Sequence, residues 1–397
     1  MIEKNEVIRI AKNENVRPDT VEKDYVLGWM LNGISQADEI SDWIFKGGTS
    51  LKKCFFETFR FSEDLDFTLK HNSPLDSGLL IKIFTDLTER LSEDVGIAFF
   101  PDRFTFDVMR KEDGACSAQG KIHYRGPLNR QNSTATIKLD LTTDEVVVLR
   151  PERRPVIHNY TDAPEGCIHV NCYAFEEVVA EKIRALAERM RPRDLYDVIH
   201  FFRNRKLIKN PQLVYEVLTK KCTFKKIGIP TFQAIQQHEK LDELAPQWEN
   251  MLAHQLPSLP PLESFWEQLQ PFFLWLQSQL KEQKLPISPV ITGQSFQVSQ
   301  VQGDFLLNLS DLKKIQFAAA NRLCINLHYH NRTRMVEPLS FRVNSQNGNR
   351  LLYGFERDAG HVKSYSISKF QSVEITSESY VERYPVEISA NGPPMRR

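Results

Sequence analysis

Asp64 and Asp66 stand two residues apart in the alternating run F-R-F-S-E-D-L-D-F-T-L. On a strand, residues i and i+2 face the same side, so the two carboxylates converge. Like charges that close are costly unless a cation sits between them. Mg²⁺ (or Mn²⁺) suits such a pair, because it takes a few carboxylates and leaves its other positions to water and phosphate oxygens. A D-x-D alone is far more often a solvated strand face, so its surroundings decide. Upstream, F-K-G-G-T-S-L places Gly47 and Gly48 after an apolar run. A backbone without Cβ there lets N–H groups approach a phosphate chain, with a helix N-terminus behind them. Thr49 and Ser50 add hydroxyl donors, and Lys46 is either a phosphate contact or a strand-edge charge. A third carboxylate, Asp140, lies in I-K-L-D-L. If its strand neighbours that of Asp64, three acids share one site, as two-metal phosphoryl or nucleotidyl transfer requires.

The elements that must position these groups are legible from hydrophobic periodicity. Helices are expected over residues 3–34, where an apolar stripe runs through V-E-K-D-Y-V-L-G-W-M-L. W-I-F-K predicts a strand, the glycine pair a turn, and Leu51 to Thr58 a helix. An amphipathic helix spans 77–96. Strands follow at Phe104–Met109, Ala118–Tyr124, Ala135–Leu141 and Val146–Val148. Phe175, Val179, Ile183, Leu186 and Met190 recur at helical spacing, and R-P-R-D starts a second helix from Leu195 to Phe202. In that reading Asp194 is a helix N-cap and Asp197 completes a capping box. Further helices are expected through Trp248 and over Phe265–Leu280. L-P-I-S-P-V-I-T-G-Q-S, Leu285 to Ser295, reads as a linker. Beyond it a helix at Asp311–Asn321 and five short strands (Cys324–Tyr329, Val336–Val343, Leu351–Glu356, Ser364–Ile367, Phe370–Ile375) predict a small β module.

Composition sets outer bounds. The 397 residues suit two or three domains, and 51 Lys/Arg against 51 Asp/Glu neither require nor exclude a nucleic-acid partner. Charge is uneven: residues 301–397 hold thirteen Lys/Arg against nine Asp/Glu. No apolar run reaches the roughly 18–20 residues of a membrane span. The start of the chain lacks a secretory leader, and six scattered cysteines contain no C-x-x-C pair. A cytoplasmic protein with reduced thiols is the expectation. No histidine cluster supports a zinc site.

The glycine pair, D-x-D and later strand aspartate resemble the polymerase-β-like nucleotidyltransferase superfamily. E-K-D-Y at Glu22–Tyr25, F-K-G-G-T-S-L at Phe45–Leu51, R-F-S-E-D-L-D at Arg60–Asp66, and A-E-K-I-R-A-L with R-P-R-D-L-Y-D across Ala180–Asp197 look like the AbiEii/AbiGii nucleotidyltransferase toxin family. The resemblance covers roughly residues 15–205 and runs on into helices to about 285. It implies an α+β (mixed) fold with a nucleotidyltransferase domain over 1–205 and a helical extension over 206–285; the residue pattern adds a linker over 286–300, a β domain over 301–385 and a tail over 386–397. It also implies roles. Asp64 and Asp66 match metal carboxylates, with Asp140 as the third. Gly47, Gly48 and Ser50 match the phosphate-side turn, Ser62 a serine within the nucleotide site, and Lys182 a lysine that engages the triphosphate. Asp194 or Asp197 completes the site, and Arg193 binds phosphate or pairs with an acid. The implied activity is transfer of a nucleotide from an NTP to an acceptor, for which relatives use the 3′ end of tRNA. The protein would be the toxin of an abortive-infection pair with a separately encoded antitoxin. A protein hydroxyl as acceptor, and a non-catalytic nucleotide-binding regulator, are the alternatives.

Residues 305–378 are similar to a WYL-type domain, an SH3-like β fold, with its naming triplet altered to Leu352-Tyr353-Gly354. Such domains are implicated in binding nucleic acid or nucleotides. Arg332, Arg334, Lys363 and Lys369, with Tyr329, Tyr353 and Tyr365, would then supply charge and stacking surfaces. Packing on the enzyme, or dimerisation, is the alternative role, and the oligomeric state is open.

Overall fold

The computed structural model describes residues 1–70, 73, 75–112, 114–130, 133–279, 305–343 and 348–389, without the side chains of 305–309. The predicted linker and residues 390–397 of the predicted tail lie outside the described residues.

Helices α1 (Lys4–Glu14) and α2 (Pro18–Gln36) open the chain. Proline at the first position of α2 sacrifices only an N–H that has no helical partner. Packed between α1, α4 (Ser77–Val95) and the main sheet, α2 buries residues around its whole circumference. Strand β1 (Ile44–Lys46) then runs straight into α3, which opens at Gly47–Ser50 and widens into a π turn over Leu51–Phe55. The glycine pair is therefore the first turn of this helix, not a turn before it, and the helix ends before Thr58. Gly47, at φ +79°, makes the corner by itself.

Strands β2 (Asp64–Thr68), β3 (Ala98–Phe99), β4 (Thr105–Arg110), β5 (Cys116–Arg125), β6 (Ala135–Thr142), β7 (Glu152–Pro155) and β8 (His169–Cys172) complete a mixed sheet. Its order is β3-β5-β6-β2-β1-β8-β7, with β4 also paired to β5. Alternation decides its faces. Leu65, Phe67, Ile137, Leu139, Ala118 and Ile122 are buried, and the polar residues between them look the other way. The predicted strand Val146–Val148 does not form. Instead the N–H groups of Val148 and Leu149 donate to the Glu177 carboxylate, and Lys221 takes the Val146 carbonyl. A buried acid and lysine replace a strand partner, an exchange that apolar periodicity does not reveal.

A helical layer follows: α5 (Phe175–Arg189), α6 (Pro192–Arg203), α7 (Pro211–Lys225), α8 (Phe232–Gln236), α9 (Leu241–Leu252), α10 (Glu263–Trp266) and α11 (Leu269–Ser278). Val179, Ile183 and Leu186 of the predicted stripe are wholly buried. Helix α12 (Phe305–Asn321) then packs on an antiparallel sheet of β9 (Leu323–Tyr329), β10 (Arg332–Val343), β11 (Arg350–Glu356), β12 (His361–Ser366) and β13 (Phe370–Ser379), ordered β12-β11-β10-β9-β13. Gly354 is required by close packing: a Cβ there would come within 2.3 Å of Val336. The two parts are tied through buried Arg203, which donates to the Asn321 and Ser264 carbonyls and to Gln268. Among the described residues no helix is long and apolar enough to cross a membrane. All six cysteines are free.

Candidate active site

Strand register gathers the acids. β1 and β2 run antiparallel with Lys46 opposite Asp66, and β2 and β6 run parallel with Asp66 opposite Asp140. β5 adds Gln119 opposite Asp140. Opposed residues share a face, so Lys46, Asp66, Asp140 and Gln119 form a row across the sheet. Asp64, Lys138 and Lys121 form the next row.

Lys46, Asp64, Asp66 and Asp140 of these rows floor a cleft of about 270 Å³ that Gly47, Gly48 and Ser62 border on one side and Lys182 on another. Gly47 is fitted to Asp66: a Cβ there would lie 2.0 Å from the carboxylate oxygen. At Gly48 it would lie 2.8 Å from the Arg60 guanidinium and 3.0 Å from Ser62 Oγ. Thr49 and Ser50, by contrast, are buried and turned inward. Their hydroxyls donate to the Asp64 and Gly47 carbonyls, so they brace the corner and do not face the cleft. Ser62 Oγ makes no hydrogen bond among the described residues and borders the open space.

The carboxylates are short of positive charge. Burial, joined by the charges of Asp140 and Asp64, pushes Asp66 up to about 6 despite the pull of Lys46 and Lys182. Burial and Asp64 likewise raise Asp140. Among the described residues no group of three His, Cys, Asp or Glu side chains is arranged to hold a metal ion by itself. The donor chemistry nevertheless fits Mg²⁺ or Mn²⁺, since such ions take one or two carboxylates and complete their shell with water and substrate phosphates.

Cations line the opposite wall, and most are locked. Lys182 reaches Asp197 at 2.8 Å and Asp194 at 3.5 Å. Arg60 grips Asp197 through Nε at 2.7 Å and Nη2 at 2.8 Å, and Arg189 grips Asp194 at 2.6 and 2.9 Å. Burial opposes charge on Asp194, but Lys182 and Arg189 hold it down at about 2. Burial likewise opposes Asp197, whose carboxyl Arg60 and Lys182 lower. Both aspartates therefore anchor the cationic wall. Asp194 is not the cap of α6: Arg191 occupies that position, without a side-chain capping bond. Lys46 pairs with Glu181 at 3.7 Å. Burial would raise Glu181, yet Lys46, Lys221 and Arg184 bring it to about 2. Arg191 and half-buried Arg193 border the cleft with no ion pair among the described residues, which leaves them open to an anion.

Sequence reasoning missed Arg60, Glu181, Gln119 and Lys138. Arg60 heads the R-F-S-E-D-L-D run, so an arginine four residues before a D-x-D was the available signal, and its 1% exposure emerged only with the fold. E-K-D-Y proves to be a brace behind the site: buried Asp24 pairs with Lys53 of the π turn at 2.7 Å, and Tyr25 donates to Asp162.

The C-terminal residues do not converge on an open surface. Arg334, Lys363 and the Tyr365 hydroxyl all turn onto buried Glu356, at 3.1, 3.0 and 2.5 Å. Tyr329 packs edge-on against Tyr365, and Tyr353 is half-buried on β11. Arg332 and Lys369 are exposed.

Residues 29–271 match the family model described as nucleotidyl transferase AbiEii toxin, type IV TA system. Among solved structures the chain is similar to MenT4, a nucleotidyltransferase toxin from Mycobacterium tuberculosis H37Rv, at 20% identity and a TM-score of 0.49, covering 71% of this chain and 93% of that one. It is also similar to JHP933 from Helicobacter pylori, at 16% identity and a TM-score of 0.40, covering 68% and 96%. No curated protein matches the chain.

Proposed function

The chain belongs to the AbiEii nucleotidyl transferase toxin family of type IV toxin–antitoxin systems, and we propose that it moves a nucleotide from an NTP onto the 3′ end of an RNA, with tRNA as the acceptor. The observation that carries this reading is the pair of rows on the sheet: electron-rich Asp66 and Asp140 beside the Gly47–Gly48 corner, then Lys138 and Lys121 leading away from them. A triphosphate seated on the corner faces Arg191 and Arg193, which have charge to spare, and Lys182, which has a share of it. Asp64, Asp66 and Asp140 are the residues that would hold Mg²⁺ or Mn²⁺, which when bound supplies Lewis-acid stabilisation of the phosphate charge. The acceptor hydroxyl oxygen bonds to the α-phosphorus, the bond from that phosphorus to the bridging oxygen breaks, and pyrophosphate leaves. Asp140, whose raised pKa makes it a stronger base than an ordinary carboxylate, takes the hydroxyl proton.

A polynucleotide acceptor is favoured over a protein hydroxyl by what lies beside Asp140. Lys138 and Lys121 are exposed, and His123 follows in the next row. Burial lowers the His123 pKa, and the nearby charges of Arg103 and Lys121 add to the shift. Such a strip suits a phosphate backbone. The family implies a separate antitoxin, and the physiological role we assign is arrest of phage-infected cells.

The test incubates the protein with Mg²⁺, each labelled NTP and total RNA. Label should enter a tRNA band and vanish in Asp64→Asn. Label in protein would replace RNA with a protein acceptor. Tight NTP binding without transfer under any divalent metal would leave a nucleotide-binding regulator instead.

A further inference from the structure

A second cavity, of about 380 Å³, lies where α1, the π turn, α12 and β13 meet. Its volume is that of a small-molecule site. Phe59, Phe61 and Phe317 contribute apolar surface, while Lys12, Lys52, Lys313 and Lys314 share the rim with Glu14 and Glu374, and Lys313 is already paired with Glu57 at 3.4 Å. The charge is incompletely answered. Among the described residues Lys52 has no carboxylate partner: its ammonium donates to the Glu57 carbonyl at 2.9 Å and lies 4.6 Å from the Phe61 ring centre. Burial lowers its pKa, so an incoming anion would be gained at a site that now strains to keep its proton. Lys314 pairs with Asp311 of its own helix at 3.5 Å. Aromatic surface with an ammonium rim suits a flat ring carrying phosphate.

The chain between the two cavities alternates. Arg60 and Ser62 border the catalytic cleft, whereas Phe59 and Phe61 border the second cavity. Lys52 sits on the same continuous helix whose first turn is the glycine pair. From this geometry we infer that the seam between the nucleotidyltransferase and the C-terminal module binds a nucleotide, free or as a terminal residue of an RNA, and transmits its occupancy to the cleft through Arg60–Ser62. The seam site stands whether or not the transfer reaction does.

Equilibrium binding to the full chain with Mg²⁺ decides it, using labelled ATP and, separately, a 5′-phosphorylated hexaribonucleotide. Two sites per chain are expected for at least one probe. Lys313→Glu/Lys314→Glu should weaken one of them at least tenfold and spare the other, while Asp64→Asn weakens the other. Saturation by ATP identifies a free nucleotide as the ligand, and saturation by the hexamer alone identifies an RNA end. A single site that survives the lysine changes, or no binding of either probe, overturns the proposal. A single site lost only in the lysine variant upholds it while removing the catalytic reading. If the variant unfolds, Lys12→Glu, on the exposed side of α1, serves the same comparison. Hydrogen exchange over residues 58–64 should slow when the seam site fills in Asp64→Asn, and unchanged exchange refutes the coupling.

Discussion

The cleft and the C-terminal module use the same residue types in opposite ways. Around Glu356 one carboxylate receives Arg334, Lys363 and Tyr365. Burial alone would raise it, but the Tyr365 and Lys363 hydrogen bonds bring its pKa down. Around Asp66 the acids outnumber the cations that reach them, and its pKa climbs to about 6. A satisfied cluster is architecture, whereas a cluster left in electrostatic debt is prepared for something not yet there. Counting charges in the sequence does not separate the two cases; only their pairing does.

The contrast can be broken at each end. Asp66→Asn should lower transfer about a thousandfold and yet raise the melting temperature, because it removes repulsion from Asp64 and Asp140; initial rates and thermal melts check both. A fall in both would mean that Asp66 is structural. Asp197→Asn leaves Arg60 and Lys182 facing a neutral group in the interior, and should cost about 3–5 kcal/mol in urea unfolding. Replacing both members of the pair, as Arg60→Met/Asp197→Leu, should cost less than either change alone.

Acidity sharpens the comparison. Asp66 has a folded pKa near 6 against an ordinary 3.8, so between those values the native state holds more protons than the unfolded chain. Its contribution to stability is therefore full in acid and declines as pH rises through about 6, by roughly 2–3 kcal/mol. Mg²⁺ should restore that loss at pH 7 and little of it at pH 5, which melts with and without the ion measure. Glu356, lowered, should behave in the reverse sense and lose its contribution as pH falls. The smallest effects belong to exposed Arg332 and Lys369: alanine at either should shift stability by no more than about 0.5 kcal/mol. A loss of tRNA binding in those variants would return the module to nucleic-acid recognition.

Much of this was legible in the chain. Alternation in F-S-E-D-L-D-F and I-K-L-D-L placed Asp64, Asp66 and Asp140 on a polar face, because a half-buried strand must alternate. The five C-terminal strands followed from short strand-forming segments at regular spacing. What alternation cannot supply is which strands are neighbours, so the row Lys46–Asp66–Asp140 needed the structure. Nor can it pair residues 137 apart, as in the Arg60–Asp197 clamp. Asp194 resembled a helix cap because its local sequence permits one; Lys182 and Arg189, brought close by the return of the chain, claimed it instead.

Gly47 leaves this enzyme with a fault line. A methyl group added there would collide with the Asp66 carboxylate and would strain a backbone already at positive φ. Every single-base change of a glycine codon that alters the amino acid without stopping translation introduces a Cβ. Inactive descendants are thus one point mutation away, with the damage confined to one corner of the fold.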